Sequence, residues 1–193
     1  MNLRYFLRET SSDVSAARLL GEYSAAVEIQ LSATLAAGAT EAAVFVFVSS
    51  PAQPGRTPWQ AGAYTLTLEV VEADSVEYRA RLYRANSAGA ALGQIGTTPA
   101  VQTGVGTKTF AFTGVEIAAG KTDRLRLEIL AANTDDSNET TLAVRCSASL
   151  LTTPITERAA VRRKQDRWRF IGKHPRPGEA QPDQDGFVET EEV

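Results

Sequence analysis

Reactive side chains are scarce in this chain of 193 residues, which holds one cysteine, one histidine and one methionine. A structural zinc site needs about four Cys or His ligands at defined spacing, so no intrinsic metal is expected, and no cofactor. A serine or cysteine triad needs a histidine-like base. The one histidine, His174, lies in Lys173-His174-Pro175-Arg176-Pro177, where the prolines favour extended backbone. Aromatic residues make up 7% and the net charge is −3, which leaves little equipment for redox work or proton transfer near neutral pH. Paired carboxylates of the glycosidase kind read as chance pairs among abundant surface acids. The chain is therefore expected not to be an enzyme.

Long apolar runs are missing as well. The longest is Ala42 to Val48, far short of the roughly 18 residues that carry a helix across a bilayer, so no membrane partner is expected. Charges interrupt Met1-Asn2-Leu3-Arg4-Tyr5-Phe6-Leu7-Arg8-Glu9, which does not read as a signal peptide. Cys146 shares alternation parity with Leu142, Val144, Ala148 and Leu150 and reads as a small core residue.

What the chain does have is period-two patterning from about Ser24 to Leu150. In Tyr64-Thr65-Leu66-Thr67-Leu68-Glu69-Val70 the apolar side chains point one way and the polar ones the other. Val76 to Arg84 and Leu125 to Ile129 do the same. Further strands read as Ala26 to Leu35, Glu41 to Val48, Lys108 to Thr113 and Thr140 to Leu150, with one or two short pieces between Ala91 and Gln102. Turn-rich connectors separate them. About eight short strands with no strong amphipathic helix predict an all-β fold, an antiparallel β-sandwich with a jelly roll as the leading topology.

The pattern divides the chain into an N-terminal segment, 1–23, read as an arm or edge strand; a β-sandwich, 24–154; and a C-terminal arm, 155–193. Thr152-Thr153-Pro154 reads as the stop of the last strand. The stretch from Ala42 to Val48 does not alternate, so both its faces should be buried, by an arm or by another subunit.

The arm is charge-segregated. Arg158, Arg162, Arg163, Lys164, Arg167 and Arg169 face only Glu157 and Asp166, and acids alone follow from Glu179 onward. With Trp168 and Phe170 interleaved, the basic stretch suits either nucleic acid or a neighbouring protein. The acidic tail would repel phosphate, so protein docking is preferred, with Trp168 and Phe170 as anchors and Arg162, Arg163, Arg167 and Arg169 as the polar rim. Trp59 beside Tyr64 offers a second possibility, a sugar-stacking platform, but packing in the core or over the edge of its own sheet is the preferred reading. Asn133 to Glu139 is oxygen-rich but lacks the EF-hand spacing and reads as a plain loop.

The succession Trp59-Gln60-Ala61-Gly62-Ala63-Tyr64-Thr65-Leu66, Ala80 to Gly89, Asp123-Arg124-Leu125-Arg126-Leu127 and Leu151-Thr152-Thr153-Pro154 resembles β-sandwich virion proteins of tailed bacteriophages. The resemblance covers about half the chain and carries turn and strand patterns, not catalytic motifs. It implies an auxiliary or decoration capsid, neck or tail component in the virion. Its expected partners are copies of itself and other virion proteins, such as major capsid or tail proteins. A carbohydrate- or host-receptor-binding module using Trp59 and Tyr64 is the alternative.

Overall fold

Alternation alone makes two of the longest strands. Tyr64, Leu66, Leu68 and Val70 on one strand and Val76, Tyr78, Ala80 and Leu82 on the next are all buried, while Thr65, Thr67, Arg79 and Arg81 stay partly in water. Burying each Leu or Phe side chain stabilises the fold by about 1.5–3 kcal/mol, and that one-sided gain sets the faces. The computed structural model describes residues 2–21, 29–51, 53–54 and 58–156. Its strands are β1 (Asn2–Ser11), β2 (Arg18–Gly21), β3 (Gln30–Leu35), β4 (Ala42–Ser49), β5 (Gly62–Glu72) and β6 (Val76–Ala85). They continue with β7 (Ala91–Gln94), β8 (Gln102–Thr103), β9 (Gly106–Gly114), β10 (Arg124–Asn133) and β11 (Thr140–Thr156).

These form one 11-stranded sheet in the order β7-β6-β10-β4-β2-β1-β11-β5-β9, with β3 on β11 and β8 on β6. The sheet curls into a half-barrel of the β-sandwich, jelly-roll-like class. Its two terminal regions meet across the core, where the rings of Tyr78 on β6 and Phe110 on β9 lie edge to face at 6.5 Å between centroids. The compact unit runs from Met1 to Thr156.

Several expectations are corrected. The sheet is mixed, because β2 pairs with β4 in parallel. A parallel neighbour requires a crossover connection, and β3, which pairs with β11, belongs to it. The N-terminal segment supplies an interior strand instead of an arm or edge: β1 lies between β2 and β11, with Tyr5 and Leu7 fully buried. The charged Arg4 and Arg8 sit on the opposite side of the strand.

Pro154 does not end the last strand, which continues to Thr156. The β1–β11 ladder is irregular between Asn2 and Arg4, beside Pro154, and a residue without an N–H is tolerated at such a break. Gly62 supplies the room. Its φ is +144°, and a Cβ there would come within 2.9 Å of the Pro154 Cβ.

The parity of β11 also changes along its length. Leu142, Val144 and Cys146 are buried, but further on the buried residues are Ser149, Leu151, Thr153 and Ile155. The register with β5 jumps between Arg145 and Leu150, and a bulge of this kind reverses the faces. Ser149 fills the gap, its Oγ accepting from the Glu69 N–H at 3.1 Å and donating to the Arg145 carbonyl at 2.7 Å.

The apolar run on β4 is not buried on both faces among the described residues. Phe45 and Phe47 are in the core, whereas on the other face Val48 is buried, Val44 and Val46 are half-buried and Ala42 and Ala43 at the start of the strand are exposed. Val46 lies opposite Glu128 and Val48 opposite Arg126, so long charged side chains of β10 share the outer face with the valines.

Candidate functional site

The most elaborate polar constellation surrounds Arg124, the first residue of β10. Its side chain is fully buried, although strict alternation with Leu125 and Leu127 points it to water. Three connections converge on it: the β1–β2 loop, the loop after β4 and the β6–β7 turn. The Arg124 Nη1 donates to Asp13 Oδ2 at 2.8 Å and to the Ser87 carbonyl at 3.0 Å. Nη2 donates to Asp13 Oδ1 at 2.5 Å, and Nε donates to the Ser49 carbonyl at 2.7 Å.

Ser49 is itself buried. Its Oγ accepts from the Leu125 N–H at 3.1 Å and donates to the Gln53 carbonyl at 2.7 Å. Desolvating a guanidinium costs several kcal/mol unless it is paired and hydrogen-bonded, and here each of its nitrogens has partners. The bidentate hydrogen bonds from Arg124 hold the Asp13 carboxyl down at about 2. The β6–β7 turn is fixed independently by Asn86 Oδ1, which accepts from the Ala88 and Ala90 N–H groups at 3.0 Å each. With its donors committed, Arg124 clamps three loops together and offers no free group to an anion.

Trp59 and Tyr64 are both fully buried, which bears out the preferred reading of packing and leaves no exposed sugar platform. Trp59 is drawn in by a backbone bridge, donating to the Ile117 carbonyl at 2.9 Å and accepting from the Ile117 N–H at 3.0 Å. Burial pushes the Tyr64 phenol up to about 12. Cys146 is buried as expected, and desolvation raises its thiol to about 11, away from the reactive thiolate. In the Asn133 to Glu139 loop, Asp135 Oδ1 accepts from the Ser137 and Asn138 N–H groups at 2.8 and 3.1 Å, making a self-contained turn. Among the described residues no group of three or more His, Cys, Asp or Glu could hold a metal ion. The docking candidates Arg162, Arg163, Arg167, Trp168, Arg169 and Phe170 lie outside the described residues.

The outer face of β4, β10 and β6 carries paired charges: Glu41 with Arg79 at 2.5 Å and Arg81 at 3.2 Å, and Glu128 with Arg126 at 2.7 Å. Exposed large apolar side chains are concentrated elsewhere. Among the described residues they are Leu92, Val101, Val105 and Val115, all between β7 and the residue after β9, around the two terminal edges of the sheet. Sequence reasoning passed over them because each sits in or beside a turn-rich connector. Arg124 was hidden for a different reason, since its partners come from three distant loops.

No protein-family model matches this sequence, and no curated protein matches it. Among solved structures, an α-amino acid ester hydrolase is similar with a TM-score of 0.51 and 10% identity, covering 80% of this chain and 36% of that one. A CocE/NonD family hydrolase from Staphylococcus aureus gives 0.49 and 10%, over 81% and 37%. Infectious bursal disease virus, Gx strain, gives 0.41 and 17%, over 71% and 32%. The chain spans about a third of the length of these proteins. At such identities likeness shows the fold alone, and a fold names no activity.

Proposed function

We propose that this chain is a structural assembly protein of a virus particle, an auxiliary or decoration capsid, neck or tail component of a tailed bacteriophage. It acts without catalysis and without a cofactor. Its partners are copies of itself and other virion proteins, and its basic C-terminal stretch around Trp168 and Phe170 docks on a neighbour. One observation carries this reading: the exposed large apolar side chains of the described residues gather at the terminal edges of the sheet. The elaborate polar groups, by contrast, are consumed in holding loops together. Exposed apolar patches at sheet edges mark association surfaces, and interior-directed polar clusters such as that of Arg124 rigidify a building block. The chemistry-poor composition and the resemblance over Trp59 to Pro154 point the same way.

A mass-spectrometric inventory of purified particles from the source tests the proposal. The full chain is expected at a fixed stoichiometry in multiple copies. Its consistent absence from particles would remove the reading.

A further inference from the structure

The two ends of the sheet are joined by a segment that belongs to neither. β7 and β8 both pair with the outer edge of β6, at Tyr83 to Ala85 and at Glu77 and Tyr78, and the Ile95 N–H extends the first ladder to the Leu82 carbonyl at 2.7 Å. Six connector residues, 96–101, then span a stretch of β6 in which three residues, 79–81, suffice. β7 and β8 are thus one edge strand interrupted by an excursion. Pro99 lies within it and has no N–H to give to a ladder.

The excursion crosses to β9. Gly96, at a φ of +69°, stands so close that a Cβ there would meet the Thr113 N and O at 2.9 Å. Successive residues of a strand turn their N–H and C=O groups to opposite edges, so Thr113 turns both away from β5 and toward Gly96. The Ile95 side chain follows the same path: a Cβ on Gly114 would meet its Cγ2 and the Tyr64 Cε2 at 3.1 Å each. At the other end of the seam the Tyr78 hydroxyl of β6 donates to the Gly104 carbonyl at 2.5 Å, just before β9 begins. The excursion has one anchor in the core, since of residues 95–101 only Ile95 is buried. On the outside the exposed Gln94 side chain bridges it, its Nε2 donating to the Gly96 carbonyl at 3.1 Å and to Thr98 Oγ1 at 3.0 Å. Segments with few buried apolar contacts and exposed backbone open at a free energy well below that of global unfolding.

We propose that residues 95–101 are a latch across the seam between β6 and β9, with Ile95 as its bolt, and that the latch opens as a local unit while the rest of the sheet stays folded. Closed, it shields the Thr113 end of the β9 edge and covers Tyr64. Open, it leaves that edge of β9 without a neighbouring strand among the described residues along its whole length, Gly106 to Gly114. The latch therefore sets how much bare strand edge the folded chain presents, whichever partner or none the chain has.

Amide hydrogen exchange of the full chain, followed residue by residue by NMR in a series of urea concentrations below the unfolding transition, tests the latch. The Thr113 and Ile95 amides are expected to share one protection factor, lower than that of the interior Leu66 amide on β5, and to ignore urea, because a local opening exposes little surface. Leu66 exchange should accelerate with urea as global unfolding does. Gln94→Ala removes the outer bridge and should speed Thr113 and Ile95 by the same factor, about two- to tenfold. Val144→Ala, in the core at β11, should speed Leu66 and leave Thr113 and Ile95 unchanged, since opening the latch does not expose that site. Should Val144→Ala fail to fold, the urea series on the wild-type chain decides alone. Thr113 exchanging as fast as an unstructured amide would overturn the proposal, because nothing would then cover it. A urea dependence equal to that of Leu66 would overturn it by making the connector part of the global core. Unequal responses of Thr113 and Ile95 to Gln94→Ala would overturn it by showing that no single unit opens.

Discussion

Arg124 and Asp13 stand 111 residues apart in sequence, yet the guanidinium of one grips the carboxylate of the other through both of its terminal nitrogens. The relationship is unequal. Arg124 is fully buried, while about half of the Asp13 side chain, 51%, remains exposed. The acid thus acts as a half-wet lid on a dry base, and the carbonyls of Ser49 and Ser87 complete the cage.

Replacing the base should therefore be felt through the groups it leaves behind. Arg124→Met strands the buried Ser49 carbonyl, and a buried unsatisfied group costs about 1–3 kcal/mol, while the Ser87 carbonyl on its exposed turn can turn to water. A loss of about 1–3 kcal/mol is expected in urea denaturation. Arg124→Lys should recover little of it, because an ammonium cannot reproduce the planar fork. Full stability in Arg124→Met would show that the three loops are held by other contacts.

Acid should weaken the same clamp within a defined range. Arg124 lowers the Asp13 carboxyl from its ordinary 3.8 to about 2, so the unfolded chain binds more protons than the folded one between those values. The stabilisation is complete above about pH 4 and is lost as the pH falls through about 2. Solvent screening at a half-exposed carboxylate limits its size to about 1 kcal/mol. Melting temperatures recorded from pH 5 to 2 should fall less steeply in Asp13→Asn than in wild type; parallel curves would assign the acid sensitivity to other carboxylates.

The contrast between β5 and β11 shows what the sequence could convey. Tyr64 to Val70 alternates without interruption, its register is straight, and its buried face is legible residue by residue. β11 alternates just as plainly, but three extra residues enter its pairing with β5 after Arg145, and no local pattern announces a bulge whose cause is a partner strand. The N-terminal segment reads as an arm or edge strand, and its interior place depends on pairing with β2 and β11, the latter about 150 residues away in sequence. Packing of Trp59, the reading preferred from the sequence, holds, but the Ile117 bridge that buries it lies 58 residues away and has no local signal. Strand existence depends on local pattern; pairing order, bulges and buried ion pairs depend on contacts of long sequence separation, to which one-dimensional periodicity is blind.

Cys146 offers a direct probe of core integrity. Fully buried, with its thiol raised to about 11, it should resist a thiol reagent at pH 8 in the native protein and react at once in denaturant. Its labelling rate under native conditions is expected to track transient opening of the β11 core and to rise roughly in proportion to the open population in destabilised variants such as Arg124→Met. Rapid stoichiometric labelling of the unperturbed chain would place the cysteine outside the core.

Gly96 and Gly104 share a φ of +69° but differ in what surrounds them, which separates backbone strain from steric collision. At Gly104 nothing lies within 4 Å of an added Cβ, so Gly104→Ala bears only the left-handed backbone penalty, about 1–2 kcal/mol. At Gly96 the same Cβ would press within 2.9 Å of the Thr113 N and O and 3.1 Å of the Phe112 carbonyl carbon. Those are backbone atoms of a paired strand that cannot rotate away. Gly96→Ala must shift either its own segment or the end of β9, and its loss should exceed that of Gly104→Ala by at least about 1 kcal/mol, a typical cost of overpacking. Hydrogen exchange at the β9 amides discriminates further: faster exchange near Thr113 is expected in Gly96→Ala and none in Gly104→Ala. Equal destabilisation of the two variants would mean that Gly96 does not abut β9, and the open length of that edge would have to be drawn anew.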